Sequence, residues 1–247
     1  MIGLGTILNV STIVIGSSIG ILLGNKLPER INAVITDALA LVVLVLGGLN
    51  VMALGDRPFI SAVGSSATLL IVLGALLIGG ALGSLIGVEQ KLEVFGGWLQ
   101  GKFGGNSNDA GRARFIQGFM TSSLIYSIGP MAILGGISDG LGRGIDQLAL
   151  KSTLDGFASM AFAASLGWGV AASAIPVAIW QGLVTLGAFS LGTLMPDAAI
   201  SSMTATGGVL LLGVGMRVLG IKQISVADLL PALLVAPLLT TLVAQFV

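Results

Sequence analysis

The sequence predicts an all-α integral membrane protein of about eight transmembrane helices, or seven if the fifth hydrophobic segment is re-entrant, with an inverted internal repeat. Three observations predict it. Only 9% of the 247 residues are charged while 55% are hydrophobic, against about 25% charged in a soluble domain, so these residues cannot assemble a water-facing surface. The charges fall between long charge-free runs, at 1–25, 38–55, 58–88, 115–138, 156–196, 198–216 and 229–247, and a helix crossing the ~30 Å hydrocarbon core needs about 20 apolar residues. The first third of the chain also aligns with the last.

The runs place segments at about 2–24, 33–54, 60–87, 114–136, 148–167, 171–193, 199–220 and 226–246. Their length excludes a barrel, whose strands are about ten residues of alternating polarity. The first segment is expected to stay in the mature protein, because its first charge is Lys26 and no positive region precedes the apolar stretch. The run 156–196 is too long for one helix, and Gly167, Gly169, Ser173 and Pro176 mark a break within it. Lys151 and Asp155 sit in the first turns of the fifth segment, which makes it the weakest span and a candidate for an interfacial or re-entrant helix. Between the third and fourth segments, 88–113 reads as an interfacial helix around Trp98 followed by a Gly/Asn/Ser linker. Phe95, Trp98 and Phe103 suit the membrane–water boundary.

The whole chain, 1–247, reads as a single membrane domain with repeat copies at about 2–87 and 171–247 around a central part at 88–170. Leu23, Gly24, Pro28 and Thr36 fall on Leu191, Gly192, Pro196 and Thr204, and Glu29 on Asp197. Gly48-Leu49-Asn50 then meets Gly215-Met216-Arg217, Ile60-Ser61 meets Ile224-Ser225, and Leu69-Leu70 meets Leu233-Leu234. An odd displacement of five segments reverses direction across the bilayer, so the copies are expected to be inverted, an arrangement characteristic of secondary transporters. Lysine and arginine set the sidedness. The loops after segments one, three and seven carry Lys26, Arg30, Lys91, Lys102, Arg112, Arg114, Arg217 and Lys222, whereas those after two and four carry Arg57, Arg143 and Lys151. The first loop is therefore expected in the cytoplasm and the N-terminus outside.

Composition removes several chemistries. With no Cys and no His, thiol nucleophiles, Ser-His-Asp triads, Cys/His zinc sites and disulfides are excluded. Eleven basic against eleven acidic residues leave no basic surface for nucleic acid. No catalytic residue, metal or cofactor is expected and the chain reads as a non-enzyme; an aspartyl dyad of Asp37 and Asp155 is the hydrolytic alternative that counting leaves.

What remains is packing and a few polar groups. Gly16, Gly20 and Gly24, and likewise Gly79, Gly83 and Gly87, recur every fourth residue as small faces for helix packing, one of them a candidate homodimer seam. Gly118, Ser122, Tyr126 and Gly129 share one face of the fourth segment before Pro130 interrupts it. Proline removes the helical donor of the Tyr126 carbonyl, and in hydrocarbon that carbonyl needs a new partner. A broken helix there suits a cation or polar solute, although a kink satisfied by a neighbouring hydroxyl leaves the same sequence. Lys151 and Asp155 are one turn apart, with Ser159 on the same face; charges entering a membrane helix face a cavity or the protein interior, or a lysine snorkels to the interface and pairs locally. Gln181 reads either as a pathway residue or as a bond between helices, and Asn50 as the latter. Asp139, Arg143 and Asp146 read as solvated loop charges in a glycine-rich loop without a Walker lysine.

The leading expectation is a small-solute or ion transporter or channel, with Ser122, Tyr126, Pro130 and Gln181 lining the path and Lys151 and Asp155 carrying charge. The alternative is a non-transporting scaffold or sensor that binds lipids or membrane proteins. The stretches GTILNVSTIVIGSSIGILLG (5–24), GFMTSSLIYSIGPMAILGGISDGL (118–141), KSTLDGFASMAFAASLGWGV (151–170) and IPVAIWQG (175–182) resemble the YdfK/YqgA-like family of bacterial multi-pass inner-membrane proteins. That resemblance implies a cytoplasmic-membrane location and carries over no substrate, cofactor or catalytic residue.

Overall fold

A computed structural model describes residues 2–24, 28–103, 109–191 and 195–246. Lys26, Gly192 and the linker residues 104–108 lie outside the described residues, as do the side chains of Phe103 and Pro130. The described residues are helical without strands: α1 (Leu4–Gly24), α2 (Glu29–Val51), α3 (Arg57–Val63), α4 (Ala67–Ile86), α5 (Val88–Phe103), α6 (Asp109–Ile128), α7 (Pro130–Gly140), α8 (Asp146–Leu166), α9 (Gly169–Ala172), α10 (Ala174–Leu191), α11 (Asp197–Val218) and α12 (Ala232–Val243), with 3-10 turns at Met52–Gly55 and Val226–Leu229.

Six helical stretches are long and apolar enough to cross a bilayer, namely Leu4–Gly24, Ala33–Gly55, Ala67–Ile86, Gly169–Phe189, Asp197–Val218 and Val226–Val243. The α6–α7 pair qualifies as a seventh, bent by 61° at its break. Helix α8, the fifth expected segment, runs unbroken for 21 residues but is too polar to pass as a span alone. The third expected segment is divided: Gly64 has φ +81°, a conformation glycine adopts without penalty, and it separates α3 from α4. The run 156–196 breaks at Gly167, φ +75°, and not at Pro176, which sits in the first turn of α10 where a missing N–H leaves no helical bond unmade.

The helices are inside-out relative to a soluble protein. In α1 the buried positions include Gly5, Thr6, Asn9, Gly16, Ser17, Gly20 and Gly24, while Ile7, Ile15 and Leu22 are about 60% exposed or more. Small and polar residues inside with large apolar residues outside is the pattern lipid imposes, because lipid solvates Leu and Ile as well as a core does.

The chain folds into two compact units. The first comprises residues 1–39, 92–127 and 131–194. Its spine is α1 lying parallel to α8: Gly16, Gly20 and Gly24 abut Gly156, Met160 and Ala164, and a Cβ at any of the three would overlap a carbonyl oxygen of α8. Helix α10 runs antiparallel to α1, bringing Thr185 to Thr6 and Gln181 to Asn9. Ile13, Tyr126, Ala174 and Val177 form a core cluster, and Leu99, Phe115, Phe119 and Met120 join α5 to α6. On α5, Phe95 stacks on Trp98 at 5.8 Å and Lys102 lies 4.5 Å over the Trp98 ring.

The second unit comprises residues 40–91, 128–130 and 195–247. Here α4 and α12 are antiparallel, with Gly79 on Ala232 and Gly83 on Asp228. The end of α2 is antiparallel to α11, with Gly47 against Gly208 and Gly215 against Ala40 and Leu44. Gly87, counted in the packing series, instead caps α4 in the left-handed conformation at φ +70°, and a Cβ there would meet only Gln90 within 4 Å. Arg217, in the last turn of α11, is ion-paired with Glu89. The Glu89 carboxylate also accepts from Ala227 N–H at 2.9 Å, while Asp228 accepts from Glu89 N–H at 2.9 Å. The expected first and sixth segments thus share one unit; the third, seventh and eighth, with the end of the second, share the other.

Candidate functional site

Within the first unit, polar side chains from four helices meet in the interior. Lys151, Asp155 and Ser159 lie at i, i+4 and i+8 on α8, a spacing that puts all three on one face. Ser122 and Tyr126 do the same on α6, Thr6 and Asn9 on α1, and Gln181 and Thr185 on α10. All nine are buried. The close backbones at Gly16–Gly156 and Gly20–Met160 bring α1 and α8 together beside them.

Two networks organise the cluster. In one, Asn9 Nδ2 donates to Gln181 Oε1 at 3.0 Å, Gln181 Nε2 donates to Thr6 Oγ1 at 3.4 Å, and Thr6 Oγ1 lies 3.5 Å from Thr185 Oγ1. In the other, Lys151 Nζ is ion-paired with Asp155 Oδ2, and Ser159 Oγ donates to Tyr126 Oη at 2.9 Å. Asp155 joins the two, since it lies within electrostatic reach of both Asn9 and Tyr126. Asn9 Oδ1 and Ser122 Oγ are buried without a hydrogen bond of good geometry.

Burying an ion pair carries a desolvation penalty of several kcal/mol per ion before the attraction offsets it, and an orphaned buried acceptor costs about 1–3 kcal/mol more. Lys151 neutralises Asp155, so the site is uncharged overall while holding a carboxylate, four hydroxyls, a phenol and two amides. Such a donor set can exchange the lysine ammonium for a cation, a proton or a polar solute. Among the described residues no three carboxylates come close enough to hold a metal ion.

Of the sequence-derived site residues, Ser122, Tyr126, Lys151, Asp155 and Gln181 fall in this cluster. Pro130 opens α7 beyond the break at Gly129. Asp37 is exposed on α2 while Asp155 is buried, so the two form no buried dyad. Asp139 corrects the reading of a solvated loop: it is 2% exposed, and its carboxylate accepts from Gly3 N–H and Gly5 N–H at the start of α1. Asn9 and Thr6 were missed, although an Asn inside a charge-free apolar run is itself a signal of a bond between helices.

Two cavities lie nearby in the same unit. A groove of about 650 Å³ follows α1 and α10, and a smaller pocket of about 230 Å³ contains Arg114 and Gln100. Neither includes Tyr126, Asp155 or Gln181, so the polar cluster is closed to both.

A family model described as "Protein of unknown function (DUF554)" matches residues 4–241. The chain is 28% identical over 242 residues to the "Uncharacterized membrane protein YdfK" of Bacillus subtilis (strain 168), covering 98% of this chain and 97% of that protein. It is 31% identical over 233 residues to the "Uncharacterized protein YqgA" of Escherichia coli (strain K12), covering 94% of each. No solved structure matches.

Proposed function

Because the chain belongs to the DUF554 family and is similar along nearly its whole length to an uncharacterised membrane protein, we propose that it is a multi-pass transporter or channel for an ion or small polar solute. The buried Lys151–Asp155 pair, with the acceptors Asn9 Oδ1 and Ser122 Oγ left over beside it, carries this reading. Ionisable residues inside membrane helices mark ion and substrate pathways, and polar side chains of α1, α6 and α10 converge on this α8 pair. The closed cluster is then an occluded state that must open for transport. The reading places the protein in a bacterial cytoplasmic membrane with the N-terminus outside, among lipids and as a homodimer. Segments one and five of an alternating series point the same way, as α1 and α8 do. The inverted duplication belongs to the same reading, supported by three pairs of corresponding segments, α1–α10, α2–α11 and α4–α12, that each pack antiparallel.

The test is flux into proteoliposomes across a panel of cations and small polar solutes. Transport predicts a flux that the Lys151→Met/Asp155→Leu double variant, which removes both charges and stays folded, abolishes. A folded wild type that carries nothing across the panel overturns it in favour of a non-transporting scaffold, the reading that the tight glycine packing around the closed cluster favours.

A further inference from the structure

We propose that the first unit binds an anionic phospholipid, with the phosphate on Arg114 and one acyl chain in the groove between α1 and α10. The two cavities adjoin, since Phe115 and Trp168 line both, and together they have the form of a lipid: a small pocket holding Arg114 at one end, an apolar groove leading away from it. In the polar pocket Arg114 is exposed yet fixed, its Nε donating to the Ser165 carbonyl at 2.6 Å. That bond uses one of five guanidinium donors. Among the described residues no carboxylate pairs with Arg114, and a guanidinium binds phosphate through paired, charge-assisted hydrogen bonds.

The channel has the right depth. From Trp168 to Ile179, both on its wall, the helix axis advances about 16 Å, close to one leaflet of a ~30 Å hydrocarbon core. Trp168 is 55% exposed at the end nearest Arg114, the position an indole takes at the membrane boundary. Alanines at 171 and 178 form part of the lining, between the larger Val14 and Ile179. A second copy of this chain would bring an apolar helix to the groove and leave Arg114 without a complement; a phospholipid complements both ends.

The proposal needs only membrane residence, so it stands or falls separately from transport. The measurement is native mass spectrometry of protein released from nanodiscs made with equal phosphatidylglycerol and phosphatidylcholine. Wild type is expected to retain phosphatidylglycerol in preference, and Arg114→Gln to lower that retention roughly tenfold, the loss of a charge-assisted phosphate contact. Arg143→Gln, at an exposed arginine elsewhere, is expected to match wild type. Ala178→Trp, which fills the channel, is expected to lower retention of both lipids. Equal retention of the two lipids by wild type, or wild-type retention by Arg114→Gln, overturns the proposal. So does an Ala178→Trp protein that keeps its lipid but loses dimer, which would assign the groove to a second copy.

Discussion

The carboxylate of Asp139 accepts a hydrogen bond at 3.1 Å from the backbone N–H of Gly5, 134 positions earlier in the chain. Its other oxygen takes the N–H of Gly3, so α7 supplies the cap for the start of α1. An anion at a helix N-terminus satisfies orphan donors and complements the dipole, together worth about 1–2 kcal/mol. Asp139→Ala should lower the thermal midpoint in detergent accordingly, and Asp139→Asn should lose less; a midpoint unchanged in Asp139→Ala would refute the role.

Gly20 and Gly48 make a matched pair of substitutions. A Cβ at Gly20 would overlap the Met160 carbonyl, whereas one at Gly48 meets nothing within 4 Å. Gly20→Ala must push α1 off α8, a change expected to destabilise by about 1–3 kcal/mol. Gly48→Ala should stay within about 0.5 kcal/mol of wild type. Equal melting of the two variants would show that α1 and α8 do not pack through this face.

Lys151 and Asp155 should behave as one unit. Removing either partner strands a buried charge at about 3–5 kcal/mol, while removing both with apolar residues is close to neutral. Lys151→Met and Asp155→Leu should therefore each destabilise strongly and the double variant recover. Additive losses in that cycle would show that the two side chains are not coupled. The recovered double variant is also the sharpest probe of transport, because it is folded without the charges.

Sidedness has its own check. A reporter inserted within 101–111 should read cytoplasmic if the basic residues Lys91, Lys102, Arg112 and Arg114 follow the positive-inside rule. A periplasmic reading would invert the topology.

Segment positions were largely legible because charges in a charge-poor chain mark the ends of spans; α1, α8 and α11 begin and end within two residues of their expected limits. Internal breaks were less so. The break at Gly167 was marked, because the run around it is too long for one helix, but Gly64 was not: it stops α3 by adopting positive φ, while many other glycines in the chain pack inside helices, so residue type alone does not separate the two uses. Partner choice was least legible. In lipid the outward face carries no polar signature, and nothing in residues 1–25 says that Gly16 meets Gly156 and not Gly79. Ser122, Tyr126, Lys151, Asp155 and Gln181 stood out as rare polar groups in apolar runs. Asp139 did not, because a carboxylate in a glycine-rich turn looks the same whether it meets water or a helix terminus.

The pairing of α1 with distant helices has a consequence for biosynthesis. Asn9 and Gln181 are separated by 172 positions, so at a translation rate of about 5–20 residues per second the first helix waits roughly 10–30 s for its hydrogen-bonding partner. During that interval its glycine face and Asn9 amide lie exposed in the bilayer or against the insertion machinery. Assembly of the first unit is therefore a late event, gated by synthesis of α8 and α10, and a ribosome stalled before residue 146 leaves α1 as an orphan for quality control to recognise.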